Sequence, residues 1–559
     1  MASIVGKQIR GKTYYYLVES ARVGGKPRIV SQRYLGTAAE VVGALEGSSA
    51  QPERTRHLAF GDLAAVWSMI RRLGVVETID EVVGARRVDA GASVGTYLAL
   101  AAANRVVAPC SKLAFADWWQ TTAGPRLVKV ARAALDHRRF WDAMDQVTDA
   151  HLEAIERALG GRIVAEFGVD LSALVLDMTN FATFVDSANE RNTIARRGHA
   201  KDGRVDLRLV GLALVVSRDG GVPLVHRAYP GNLPDVTQFA SVVGELTERY
   251  RALTAEVEEL TVVYDGGNVS VANQALVAGT PLHYVCSLTT AHHKDLLAIP
   301  RARYTPVEGY EGLVAHECEV EALGARRRAI LTHSEDFHRG QARSFAQTLA
   351  KATRQLGALA EVLGRGKARR TRAQVEAEIA RILKPRWVSR VVNTELRGEH
   401  SKDLRLTFSI DEAARTALED EHFGKRILIT SHTDWPVEQV VSAYRSQSEV
   451  EASFRQMKDP KVASFSPMFH WTDQKIRVHV FYCVLALAIA QLMRREAARA
   501  GITMSVRELL KTLASIQETV LIYPSEGGRP RARRMLTETE GAAKRLFDLF
   551  GLAAYAPAR

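Results

Sequence analysis

The chain has 559 residues, 47% of them hydrophobic and 25% charged, which suits roughly two to four globular domains and excludes a collagen-like or low-complexity protein. Lys and Arg outnumber Asp and Glu by 75 to 63, and a pI near 9.5 points to an acidic polymer as partner, nucleic acid before membrane. Cys110, Cys286, Cys318 and Cys483 are scattered, with no C-x-x-C and no His at zinc spacing, so neither a disulfide framework nor a structural zinc is indicated and a cytoplasmic location fits. The opening residues lack a secretory apolar segment, and the most apolar run, Val480 to Ala490, is shorter than the roughly 20 residues that cross a bilayer, so a buried core helix is expected there and no membrane partner.

In chain order, residues 4 to 35 alternate in strand fashion about Gly24-Gly25-Lys26, which predicts a small basic hairpin or three-stranded sheet. Helical patterning follows to about Ala158. Asp62 caps one segment, Ser93 opens an alanine-rich helix, Ser111 opens Lys112 to Gln120, and His137 to Trp141 precede another. Short helices with basic ends make this region a candidate DNA-binding module, although no helix-turn-helix signature is crisp.

At Leu171 the texture changes to an apolar run ending on Asp177, the pattern of a buried strand that delivers an acid to a site. Strands are predicted at Val205 to Ser217 and Val222 to Tyr229, then turn chemistry at Gly231 to Asp235 and a helix over Val236 to Leu253. The run Leu260 to Tyr264 repeats the first pattern: an apolar strand, then Asp265, then Gly266 and Gly267, which let the backbone turn away. Pro281 to Leu288 reads as a further strand.

Between Leu288 and Ile427 this mixed α/β core is interrupted. The interruption holds a strand over Arg326 to Thr332, helices over Gln341 to Leu363 and up to Leu383, the basic run Arg365 to Arg372, and strand-like stretches at Trp387 to Asn393 and Asp403 to Ile410. The core resumes with the strand Arg426 to Thr430. Pro436 then suits the first turn of a helix uninterrupted to Lys458, on which Tyr444, Gln447, Glu451, Phe454 and Lys458 form one stripe at the edge of the apolar face. An apolar helix over Asp473 to Arg495 and a basic tail at Arg529 to Arg534 complete the chain.

Asp177 and Asp265 end buried strands and Glu451 sits on a helix beside them. Hard oxygen donors without His or Cys select magnesium or manganese, and two such ions can activate an attacking oxygen and stabilise a leaving oxygen in phosphodiester chemistry. Three clustered carboxylates repel one another unless metal holds them.

These residues carry a resemblance. The pattern Tyr444, Gln447, Glu451, Lys458 has the spacing of the Y-x2-R-x3-E-x6-K signature, and the chain resembles the bacterial insertion-sequence DDE transposases that bear it, a group with a ribonuclease H-like catalytic core. Asp177 to Phe181, Tyr264 to Asn268, Gly198 to Arg204, Gly231 to Asp235 and His470-Trp471 are similar to the same group, as is the long gap between Asp265 and Glu451, where relatives insert a β-rich domain. Two departures stand out: Gln447 replaces the signature arginine, and Gly266 stands where relatives often carry a basic residue.

The resemblance implies a fold of mixed-sheet catalytic core in two parts, 166–290 and 426–500, around a β-containing insertion at 291–425. A basic β-rich region at 1–55, a helical DNA-binding domain at 56–165 and a helical tail at 501–559 flank it. The implied activity is transposition. A homodimer binds the terminal inverted repeats, nicks double-stranded DNA with Mg2+ or Mn2+, two ions held by Asp177, Asp265 and Glu451, and joins the freed end to target DNA. Tyr444, Gln447 and Lys458 would contact phosphates, and Trp387 would stack on a base flipped out near the cut. Lys458 is expected to offset the missing arginine, with Gln447→Arg partly rescuing Lys458→Ala. An inactive DNA-binding repressor and a metal-dependent nuclease without strand transfer remain open on the same residues.

Overall fold

The computed structural model describes residues 2–49, 51–84, 91–186, 188–198, 206–253, 260–366, 369–524 and 531–558. The chain divides into two compact units: Met1–Ser68 with Ala114–Arg132 and Arg507–Arg559, and Met69–Leu113 with Ala133–Val506. The first is assembled from three distant stretches of the sequence.

In that first unit, Ala2–Ile9, Lys12–Val23 and Lys26–Thr37 form the expected three-stranded antiparallel sheet, with Gly24 and Gly25 turning it at φ of 62° and 81°. A second sheet was not foreseen. Arg54–Ala59, which straddles the expected boundary at residue 55, pairs antiparallel with Gln517–Tyr523, and that strand pairs with Arg531–Leu536. The tail predicted to be helical therefore supplies two strands, and its basic run, apart from residues 529 and 530 outside the described set, is one of them. At its centre Glu518 is fully buried between the guanidinium groups of Arg126 and Arg534.

The second unit is built on a large mixed sheet. Its strands, in chain order, are β1 (Ala173–Thr183), β2 (Arg208–Ser217), β3 (Pro223–Pro230), β4 (Thr261–Tyr264), β5 (His283–Leu288), β6 (Leu313–Ala322), β7 (Ala325–Ser334) and β8 (Lys425–Thr430). The spatial order is β6-β7-β8-β5-β4-β1-β2-β3, with short strands at Thr305–Pro306 and Arg196–Arg197 beside β6 and β2. β4 runs parallel to β1, and β5 parallel to β4; the other pairings are antiparallel. Leu174, Val175 and Leu176 of β1 are buried in succession, as a central strand covered on both faces requires.

The interrupting piece is only partly a separate insertion, because β6 and β7 extend the core sheet through β8. The remainder packs around its own core. That core joins the helices Glu335–Gly364 and Arg372–Leu383 to the two-stranded sheet Val392–Arg397 with Arg405–Ile410. Trp387 to Val391 is not a strand: Trp387 has a left-handed backbone at φ 69° and Val388–Val391 is a helical turn. His137 to Trp141 likewise lie within a helix, His137–Asp145, capped by the Asp136 carboxylate, rather than ahead of one.

Three helices matter below: α1 (Val94–Val107), capped by Ser93 as expected, α2 (Val437–Arg445) and α3 (Gln447–Lys458). They are followed by α4 (Asp473–Arg499). By length and composition α4 could cross a membrane, contrary to the short span expected, yet 94% of its most apolar stretch is buried in the protein. Burial, not length, assigns it to the core.

Candidate active site

β1 and β4 lie side by side with Leu176 opposite Tyr264, so the next residue of each, Asp177 and Asp265, leaves the paired region at the same level. The two predicted aspartates are thereby brought together by parallel pairing of distant strands. The Asp177 carboxylate accepts from the Met178 amide at 2.7 Å. Asp265 begins the turn Gly266–Asn268, and its Oδ1 accepts from the Ser287 hydroxyl at 3.2 Å and the Tyr444 hydroxyl at 3.2 Å. Ser287 Oγ in turn accepts the Gly266 amide at 3.2 Å, and a Cβ at Gly266 would stand 3.2 Å from Ser287. The glycine is thus suited to a tight contact with β5, a packing reason for one of the two departures noted in the sequence.

Tyr444 belongs to α2 and is buried. Burial, and then the Asp265 carboxylate, push its phenol up, so it stays protonated and donates to the carboxylate. Its oxygen accepts from Arg426 Nη1 at 3.1 Å, and the Arg426 guanidinium also lies over the Phe337 ring at 4.4 Å. Arg426, Ser287 and Thr179 were not among the expected site residues. The sequence signal for Arg426 is a cation next to Lys425 at the start of the apolar strand Lys425–Thr430.

The helix predicted to run unbroken to Lys458 is two helices. Its break is at Ser446, whose hydroxyl donates back to the Ala443 carbonyl and whose amide bonds both Ser442 and Ala443. Back-bonding of this kind bends helices. As a result α2 packs on β4, β5 and β8, while α3 packs on β1 and β2, and the straight stripe is divided. Lys458, at the end of α3, donates to Thr179 Oγ1 at 3.0 Å, two residues beyond Asp177 on β1, and lies 5.7 Å from the Phe181 ring centre. Gln447 faces inward, 8% exposed, with Nε2 buried and without a hydrogen-bond partner. Glu451 is exposed and, with Tyr444, Gln447 and Arg426, lines a cavity of about 230 Å³. Glu449, the alternative acid on this helix, is engaged by Arg494 at 2.7 Å.

Asp177 and Asp265 supply the hard oxygen donors suited to Mg2+ or Mn2+. The expected trio is not assembled, because among the described residues no three His, Cys, Asp or Glu side chains gather into a group able to hold a metal ion. Trp387 sits against the core of the insertion, its ring stacked on His422 at 5.6 Å and covered by the Arg386 guanidinium at 4.0 Å. Of the motif Gly198 to Arg204, all but Gly198 lies outside the described residues. Gly231 does meet a strict requirement, since a Cβ there would come within 2.1 Å of the Leu209 carbonyl.

This geometry changes what is expected of Lys458 and Gln447. Lys458→Met, which keeps the stem near Phe181 and removes the charge, should weaken binding of a DNA end roughly 10- to 100-fold, the worth of one charged hydrogen bond to phosphate, and lower the salt slope of binding by about one unit. Gln447→Arg is not expected to rescue it, because the side chain is enclosed and Arg426 already stands beside Tyr444. Filter-binding titrations across salt concentrations measure both.

No family model matches the chain, and no curated protein matches it. Among solved structures, it is similar to a piggyBac transposase synaptic complex with hairpin DNA determined by cryo-EM, with 8% identity, a TM-score of 0.36, and coverage of 81% of this chain and 79% of that one.

Proposed function

We propose that the chain is a DNA transposase that binds the ends of a mobile element as a homodimer and cuts and joins DNA strands at Asp177 and Asp265, with Glu451 as the third acid. The observation that carries this reading is the pairing of Leu176 with Tyr264, which sets two aspartates at one level on adjacent parallel strands of a mixed sheet. A mixed sheet of this kind is compatible with the ribonuclease H-like core that the resemblance to the insertion-sequence transposases implies.

Asp177 and Asp265 would hold Mg2+ or Mn2+, which would supply the Lewis acidity that phosphodiester cleavage needs. The side chains do the rest. Tyr444 and Ser287 fix the orientation of Asp265, Arg426 holds the Tyr444 oxygen, and Lys458 presents a cation beside β1 for a phosphate of the bound strand. Glu451 joins the aspartates only if α3 or its side chain moves.

The test uses duplex DNA carrying the inverted repeats that flank the coding region, a target plasmid and Mg2+. Nicked ends and joined products support the reading. Binding without cutting makes the chain a repressor, and cutting without joining makes it a nuclease; either result overturns transposition.

The exposed cations of the N-terminal sheet, among them Lys7, Arg22, Arg28 and Arg33, suit recognition of the element ends by the phosphate backbone. Replacing Arg28 and Arg33 with alanine should lower the salt slope of end binding by about two units, one per released phosphate contact, and leave the fold intact. An unchanged slope removes this sheet from the interface.

A further inference from the structure

A second concave site lies within the larger unit, lined by residues of α1, the helix His137–Asp145, the start of the helix at Lys112, and the segment leading to α4. The cavity measures about 190 Å³, and its lining includes Arg105, Lys112, Trp141, Phe469 and His470. Two cations point inward without an acid. Arg105 is 3% exposed; its Nη2 donates to the Cys110 and Pro467 carbonyls, while Nη1 is buried with no hydrogen-bond partner. Among the described residues neither Arg105 nor Lys112 is paired with a carboxylate.

The neighbouring network fixes its own protons. The Phe465 carbonyl can only accept, so His479 Nε2, 2.8 Å away, carries hydrogen. His479 Nδ1 then accepts from the Tyr482 hydroxyl at 2.5 Å, and the Tyr482 oxygen accepts from Lys112 Nζ at 2.6 Å. His470 Nε2 stands 3.2 Å from the same amine, which makes it a further acceptor and leaves that imidazole neutral. Every partner of Lys112 is uncharged. Burial and the nearby Arg105 accordingly push the Lys112 amine down to about 7 and hold both imidazoles well below their ordinary range. A buried guanidinium and a half-buried amine without a counter-ion are costly, and an arriving anion would relieve that cost. At the mouth, Trp141 is 39% exposed and Phe469 63% exposed, flat apolar faces beside the cationic floor.

We propose that this cavity binds a nucleotide, its phosphate held by Arg105 and Lys112 and its base resting on Trp141 and Phe469. Charge and aromatic surface agree with that occupant: a guanidinium and an amine suit phosphate, and aromatic faces stack on any base. The nucleotide is either free or the terminal unit of a strand. The site stands on its own residues, apart from the reading of Asp177 and Asp265, and remains testable if that reading fails.

The experiment is calorimetric titration of the full chain in EDTA, which removes any contribution from metal at the aspartates. The probes are inorganic phosphate, deoxyadenosine, deoxyadenosine monophosphate and a trinucleotide with or without a 5′-phosphate. The monophosphate should bind at least tenfold tighter than phosphate or the nucleoside. Lys112→Met should weaken phosphate and monophosphate alike by tenfold or more. Trp141→Ala and Phe469→Ala, at exposed positions that leave folding unchanged, should weaken the monophosphate and spare phosphate; they decide the matter if Lys112→Met does not fold. Equal affinity for the phosphorylated trinucleotide and the mononucleotide identifies a strand terminus as an acceptable occupant, whereas binding of the mononucleotide alone identifies a free nucleotide. No binding of the monophosphate, or binding indifferent to all three substitutions, overturns the proposal.

Discussion

Asp265→Asn is expected to lower nicking of end-bearing DNA by about a thousandfold or more while end binding changes little. The carboxylate oxygen that receives the Tyr444 and Ser287 hydroxyls can be replaced by an amide oxygen that accepts the same hydrogen bonds, so the local fold should survive. What is lost is negative charge opposite Asp177. A carboxylate that helps hold a catalytic divalent ion is worth several kcal/mol of transition-state stabilisation, and each 1.4 kcal/mol is about tenfold in rate. Asp177→Asn should behave alike. Glu451→Gln tests the third acid separately: a full loss means that α3 closes on the aspartates in the DNA complex, and retained cutting means that two aspartates suffice. Glu449→Gln should leave nicking intact and act on stability, because its carboxylate is engaged with Arg494. Single-turnover nicking on labelled duplex, with parallel binding titrations, reads all four.

Glu518→Ala should destabilise the smaller unit by about 3–5 kcal/mol, the range for removing one partner of a buried ion pair. The Glu518 carboxylate has no solvent exposure and is held by Arg126 Nε at 2.9 Å and by further contacts from Arg126 and Arg534. Arg126 also donates to the Tyr555 carbonyl at 2.6 Å, so its guanidinium would stay in place facing an empty site. Arg534→Ala should cost much less, because that side chain is 41% exposed and water can screen it. Urea unfolding followed by circular dichroism should show an earlier transition in Glu518→Ala and little change in Arg534→Ala.

The two aspartates stand out in the sequence because an apolar run closed by an acid occurs twice, at Leu176 and at Tyr264, although either run alone reads as readily as a turn or helix cap. Their pairing was not written locally; it depends on β4 docking parallel to β1 from far along the chain. The break at Ser446 was hidden, since serine is tolerated in helices and the bend arises from where its hydroxyl turns. The inward face of Gln447 followed from that break. Trp387 reads as strand because β-branched residues follow it, whereas its backbone is left-handed and its ring packs against His422 and Phe423. Glu518 gave the opposite error. A charge at the second position of Gln517–Tyr523 argues against a buried strand until two arginines, one more than 390 positions earlier, are brought beside it.

The pairing of Arg54–Ala59 with Gln517–Tyr523 has a consequence for synthesis. A ribosome delivers Arg54–Ala59 long before Gln517–Tyr523, so the earlier edge waits for its partner through the synthesis of everything between them. Non-local closure of this kind is slow. The Arg54–Ala59 strand should therefore gain protection from protease only once Gln517–Tyr523 has emerged, and chains truncated before Gln517 should be cut rapidly there while the local sheet of residues 2–37 is spared.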